Sequence, residues 1–277
     1  MNANDPAWLS VEAGNAPLLI SLPHTGTDIP EDCGDGLVSP WLARKDTDWW
    51  IDRLYGFVGD LGATVVRTAI SRTVIDVNRD PSGRTLYPGQ ATTELCPTTT
   101  FDGEPLYHPG QEPAPDIVLK RRRTFFDPYH AALLREVARL RGRHRLVVLY
   151  DCHSIRSVIP RLFDGTLPVF NIGTDIGRSC DPRLAARIAA LCDASGQSRV
   201  TDGRFKGGFI TRAYGRRGEG VHAVQMELAC RGYMWEEPGA VDPAAWPAAY
   251  NAERAAATRA TLAQVLEACL AFTRAAA

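Results

Sequence analysis

Scarcity narrows the possibilities first. The chain carries almost no net charge, formally −1 at pH 7, with 31 Lys and Arg against 32 Asp and Glu. That balance argues against nucleic acid or a membrane surface as partner. Basic clusters exist, at Lys120–Arg123 and between Arg139 and Arg145, but they fall in helical periodicity and read as solvated helix faces. No uninterrupted apolar run approaches the roughly 20 residues of a membrane span. Met1–Pro6 shows no basic segment leading into an apolar stretch, so no secretory signal is expected. The seven cysteines, at 33, 96, 152, 180, 192, 230 and 269, are odd in number and never spaced CxxC. Small buried thiols in a reduced, cytoplasmic protein fit that pattern better than disulfides. There are no internal repeats and no low-complexity tracts.

What remains is an ordinary globular composition, 45% hydrophobic and 23% charged over 277 residues, enough for one large α/β domain. Pro17–Leu22, Ala63–Ala69, Arg72–Val77, the run around Leu146–Leu149, Leu167–Ile172 and Val221–Ala229 read as strands. Helices are expected over 41–61, over 116–143, from Asp181-Pro182 to about Ser195, and over the Ala-rich tail at 243–275. Between 81 and 115 the chain is dense in Pro and Gly, yet holds Leu86, Tyr87, Phe101, Leu106 and Tyr107. Such a stretch suits a binding or lid loop that packs. The expected architecture is a three-layer α/β/α single domain over 1–277.

Chemistry concentrates behind two strands. One runs into Pro23-His24-Thr25-Gly26, the other into Tyr150-Asp151-Cys152-His153-Ser154. Strand ends are where open α/β sheets bind ligands. Two imidazoles there, with acids nearby, suit a catalytic metal site that keeps a water. Asp28, Asp46 and Asp48 compete to be the third ligand. Asp48 is favoured, with Asp46 as helix cap or second support. Asp151 could orient an imidazole. Glu227 sits in an apolar strand, where a carboxylate needs a reason; it is either a core ion pair or a general base beside the metal. Asn78-Arg79 follows another strand-like run and could clamp a carboxylate. Arg212, between Thr211 and Tyr214 in a Gly-rich segment, is a second cationic candidate. Cys152 and His153, as neighbours in a strand, should point to opposite sides and form no nucleophile pair. His108, His130, His144 and His222 are expected to be non-ligands.

Taken together, Ser21-Leu22-Pro23-His24-Thr25-Gly26, Asp46-Thr47-Asp48-Trp49, Ser71–Arg79, Leu149–Ser154, Asn171-Ile172-Gly173-Thr174 and Val221–Leu228 resemble the motifs of the N-formylglutamate amidohydrolase family, in order from about residue 17 to 235. The resemblance implies a mixed, mostly parallel sheet flanked by helices, similar to zinc carboxypeptidases. It implies one divalent metal, zinc or else iron, cobalt or manganese, held by His24, Asp48 and His153, with Glu227 as general base and acid. The expected reaction is hydrolysis of N-formyl-L-glutamate to formate and glutamate in histidine degradation. Arg79, Arg212 and Arg72 would neutralise the small-molecule dicarboxylate, with Asn78, Thr211 and Tyr214 at its binding site. Ala213 stands where the family's motif would carry histidine, which suggests a changed pocket and a related N-acyl amino acid. A related metallohydrolase, or a protein that only binds an acidic amino acid, are the alternatives. Oligomeric state is not legible.

Overall fold

The computed structural model describes residues 5–85, 89, 91–237 and 241–275. Seven strands form one sheet: β1 (Leu9–Glu12), β2 (Leu18–Leu22), β3 (Thr64–Thr68), β4 (Val147–Ile155), β5 (Phe170–Gly173), β6 (Arg199–Thr201) and β7 (Val221–Ala229). Their order is β1-β3-β2-β4-β7-β5-β6. β1 with β3 and β5 with β7 are antiparallel, and the other four pairings are parallel. β2, β4 and β7 are buried at every residue, which is why their sequences are nearly continuous apolar runs rather than alternating ones.

Helices cover both faces, as α1 (Glu31–Gly34), α2 (Ile51–Leu54), α3 (Pro115–Arg121), α4 (Asp127–Arg141), α5 (Pro182–Ala194), α6 (Phe209–Tyr214) and α7 (Ala252–Ala275). On one face Tyr150, Cys152, Val224 and Met226 pack with Leu54, Ile188, Leu262 and Leu266. On the other, Leu149 and Ala223 pack with Leu133, Tyr129 and Ile210. The three-layer arrangement with a mixed, mostly parallel sheet is the one expected. No helix among the described residues is long and apolar enough to cross a membrane.

Several expectations about elements need correction. Residues 41–61 form only a 3-10 turn at Leu42–Arg44 and the four-residue α2. Trp50 is left-handed at φ 63°, and Gly56, Gly59 and Gly62 disfavour a continuing helix. The apolar spacing there reports burial, since Ile51, Leu54 and Val58 are all in the core. Arg72–Val77 is no strand either; Val74, Ile75 and Val77 are buried, but the backbone turns, with Val74 N–H donating to Ser71 O. The helix over 116–143 is interrupted by a π-helical turn at Arg122–Phe126. Arg121, taken for a solvated cation, points inward and donates to Val74 O and Tyr107 Oη. The tail becomes helical at Ala252, not at 243, because Pro243 and Pro247 precede it. β1 and β6, of four and three residues, are too short to leave a period. Between 81 and 115 the described residues make no strand and no helix before Pro115; Leu86 and Tyr87 lie outside the described residues.

Candidate metal centre and its cleft

The parallel strands β2, β4 and β7 lie side by side and end together. His24 follows β2 by two residues, while His153 and Glu227 lie within β4 and β7 and face each other in register. β4 runs on to Ile155, so His153 belongs to the strand rather than to the loop after it. Alternation sends Cys152 into the core and Asp151 and His153 to the opposite face. Asp48 reaches the same place from the turn before α2, its N–H donating to His24 O at 3.0 Å.

His24, Asp48 and His153 are all buried and offer one ligand atom each, within 4.8 Å of one another. His24 Nδ1 is 3.7 Å and His153 Nδ1 3.1 Å from Asp48 Oδ2. Asp28 and Asp46 are outside this group. At the far side of each ring stands another carboxylate: Asp76 Oδ1 lies 2.7 Å from His24 Nε2, and Asp151 Oδ2 lies 2.9 Å from His153 Nε2. A carboxylate at Nε2 holds the proton there and leaves the Nδ1 lone pair free for a cation. Asp76 was not singled out in the sequence; its only signal was its place two residues before Asn78.

The charges are arranged accordingly. Burial alone would raise the Asp48 carboxyl, but His153 and His24 hold it below the usual carboxylate range. Asp76 is likewise held well below it, burial being outweighed by His24, Arg72 and Arg79. Burial disfavours the charged His153 ring, yet Asp151 and Asp48 keep its pKa well above the ordinary histidine value. Glu227 moves the other way: burial pushes it up to about 7, with Asp48 adding to the shift and His153 opposing it.

Whether a cation fits is answered by three observations. His24 Nδ1 is buried and bonded to nothing, which a native interior rarely tolerates. The facing donors are two nitrogens and a carboxylate, a set that suits zinc and also iron, cobalt or manganese. Finally, the buried carboxylates of Asp48, Asp76 and Asp151 crowd the two rings, a concentration of negative charge that favours a cation.

A cleft of about 560 Å³, counting its open mouth, lies over the cluster. His24, Arg72, Asn78, Arg79, His153 and Glu227 line it, together with Arg204, Gln225 and the Ala91–Thr93 segment. Arg72 bridges Asp48 and Asp76, at 3.4 and 2.8 Å. Arg79 donates to Thr93 Oγ1, and Arg204 to Ala91 O, so both guanidinium groups hold the same segment. Asn78 is held at both ends: its Oδ1 accepts from Ile210 N–H, and its Nδ2 lies 2.9 Å from His153 Nε2 and 3.2 Å from Asp151 Oδ2. Gln225 Oε1 accepts from Gly208 N–H and its Nε2 donates to Glu227 Oε2. The sequence had not marked Arg204 or Gln225, although Gln225 shares the Glu227 face of β7.

Other sequence candidates lie apart from the cleft lining. Tyr214 Oη is 2.9 Å from His130 Nδ1. Thr211 is fully buried, and Arg212 Nε donates to Gly207 O. Asp46 touches neither histidine; it accepts from Phe101 N–H at 2.7 Å. Ala213 packs against the core beneath α6, which gives its departure from the motif no direct route into the cleft.

Residues 16–234 match the family model described as N-formylglutamate amidohydrolase. The chain belongs to the N-formylglutamate amidohydrolase family. It is 47% identical over 267 residues to a protein of Pseudomonas aeruginosa named N-formylglutamate deformylase, covering 96% of this chain and 97% of that one. A Pseudomonas putida protein of the same name is also 47% identical, over 95% of this chain and 96% of its own length. Among solved structures, an N-formylglutamate amidohydrolase from Ralstonia eutropha JMP134 superposes with a TM-score of 0.80 at 22% identity, covering 98% of this chain and all of that one. A gene product of Agrobacterium tumefaciens superposes with a TM-score of 0.71 at 19% identity over 96% of each. Both share the fold of this family member.

Proposed function

We propose that the protein is a metal-dependent amidohydrolase that converts N-formyl-L-glutamate to formate and L-glutamate in histidine degradation. The observation that carries this is the meeting of His24, Asp48 and His153, with Glu227 on the neighbouring strand in register with His153. The names of the two Pseudomonas relatives support the substrate.

His24, Asp48 and His153 would hold a divalent ion, which would supply Lewis acidity to the reaction. The remaining work falls to the chain. Asp76 and Asp151 keep the protons of His24 and His153 on Nε2. Glu227, with a pKa near neutrality, takes a proton from the attacking water and delivers it to the leaving nitrogen as the C–N bond breaks. Gln225, its amide fixed by Gly208, holds that carboxylate in one orientation. Arg79 and Arg204 receive the substrate carboxylates. Because formyl is so small, most recognition must come from that end. Arg72, already bridging two aspartates, balances the cluster.

The test is formate release from N-formyl-L-glutamate before and after chelation, with re-addition of zinc, iron, cobalt or manganese in turn. Turnover should vanish on chelation and return with a metal. Glu227→Gln should keep its metal and lose about 10²- to 10⁴-fold in kcat. Undiminished turnover in protein verified to be metal-free would overturn the reading.

A further inference from the structure

Beyond His153 and Glu227 the floor of the cleft changes character. The next residues on the same face are Ile155 and Ala229, paired across β4 and β7. They form an apolar cluster with Phe101, Ile159 and Leu167. Phe101 and Ile155 line the cleft at this end. Its ring lies 4.7 Å from the Arg72 guanidinium, which itself reaches Asp48 at 3.4 Å. An aromatic wall therefore stands one guanidinium away from Asp48 of the candidate metal group. Arg79 is tied to the Ala91–Thr93 segment, while Arg204 holds that segment and also reaches the apolar end, donating to Leu162 O and lying over the Phe205 ring.

The wall is also held rigidly. Phe101 N–H donates to the partly buried Asp46 carboxylate. On its C-terminal side, Asp102 is bound by Arg156 at 2.7 Å and by Lys45 at 2.6 Å, and the Lys45 ammonium is only 3% exposed. Glu104 meets Lys45 at 2.5 Å and accepts from Thr100 Oγ1 at 2.8 Å. Lys45 and Arg156 are buried while Asp102 and Glu104 stay 28% and 44% exposed, so these pairs fix the segment mainly through the cations, which need their partners to stay buried. Asp46 thus holds the backbone at Phe101 itself, and Lys45 and Arg156 hold the side chains that follow it, which limits the freedom of this segment to move aside for a longer acyl chain.

We infer that Phe101, clamped through Asp46, Lys45 and Arg156, sets the size of the acyl group that the centre accepts and confines it to formyl. The inference rests on the amidohydrolase reading above, which assigns the cleft to an N-acyl amino acid with its carboxylates at the arginines. An apolar substituent on the acyl carbon would go to the apolar part of the lining, Phe101 and Ile155 with Leu162 and Phe205. A hydrogen fits there, and a methyl group has to displace the ring.

The experiment compares kcat/KM for N-formyl- and N-acetyl-L-glutamate in the metal-loaded wild type, Phe101→Leu and Phe101→Ala. The acetyl-to-formyl ratio should rise by about tenfold or more in Phe101→Ala, and by less in Phe101→Leu. Asp46→Asn, which keeps the ring but weakens the clamp, should raise the ratio in the same direction. An unchanged ratio in a Phe101 variant that still releases formate overturns the inference and leaves the amidohydrolase reading standing. Failure of the wild type to release formate from N-formyl-L-glutamate would overturn the amidohydrolase reading itself, and with it this inference.

Discussion

At the scale of single residues, each histidine of the candidate centre has a carboxylate behind it. Asp76 supports His24 as Asp151 supports His153, and such partners commonly tune affinity by 10- to 100-fold. Asp76→Asn should therefore weaken metal binding by about that factor, measured by competition with a chelator, while the far-ultraviolet circular dichroism stays unchanged. His130 is the contrasting case, a histidine spent on structure. Burial lowers its pKa to about 4, and its Nε2 bonds Val77 O. An unfolded histidine, titrating near 6.5, binds its proton first, so the unfolded state gains protons between pH 6.5 and 4. Stability contributed by the neutral ring is then full above the unfolded pKa and falls as pH drops through that window. The loss amounts to about 3 kcal/mol. Urea unfolding of His130→Gln across that range should show a shallower decline than the wild type; identical slopes would refute the assignment.

At the scale of elements, capping and interruption decide what periodicity alone cannot. The start of α5 was legible because Asp181-Pro182 encodes it locally: the Asp181 side chain accepts from Arg183 N–H and Pro182 takes the first helical position. Asp181→Ala should cost about 1 kcal/mol in urea unfolding and leave turnover intact. The helix expected over 41–61 had a cap candidate in Asp46, but α2 starts after Trp50 with no side-chain cap. Its apolar spacing is real, but what it reports is a buried segment whose turns deliver Asp48 to His24. Arg72–Val77 misled for the same reason, since β-branched residues also fill a core from irregular backbone. The neglect of Asp76 followed directly, because a carboxylate inside a supposed strand offered no hint of the imidazole 52 residues earlier.

For the whole molecule, a metal bound as proposed should act as a folding ligand. The candidate ligands come from the end of β2, from the turn before α2 and from β4, so native protein would present a site that the unfolded chain does not. Free metal at 100 times its Kd should stabilise the protein by about 2.7 kcal/mol. The melting temperature should fall on chelation, and His24→Ala should lose most of that difference. An equal metal-dependent shift in the variant would place the ion elsewhere.

By itself, the sequence determined which runs are buried on both sides of the sheet, which residues could carry chemistry, and the family whose motifs they match. These are local properties, recorded in hydrophobic period and in residue type. Only the tertiary structure decided that Asp48 rather than Asp28 or Asp46 joins the histidines, that Asp76 backs one of them, and that Phe101 walls the cleft. Those facts depend on segments far apart along the chain closing on one point, and no local period encodes where a loop will land.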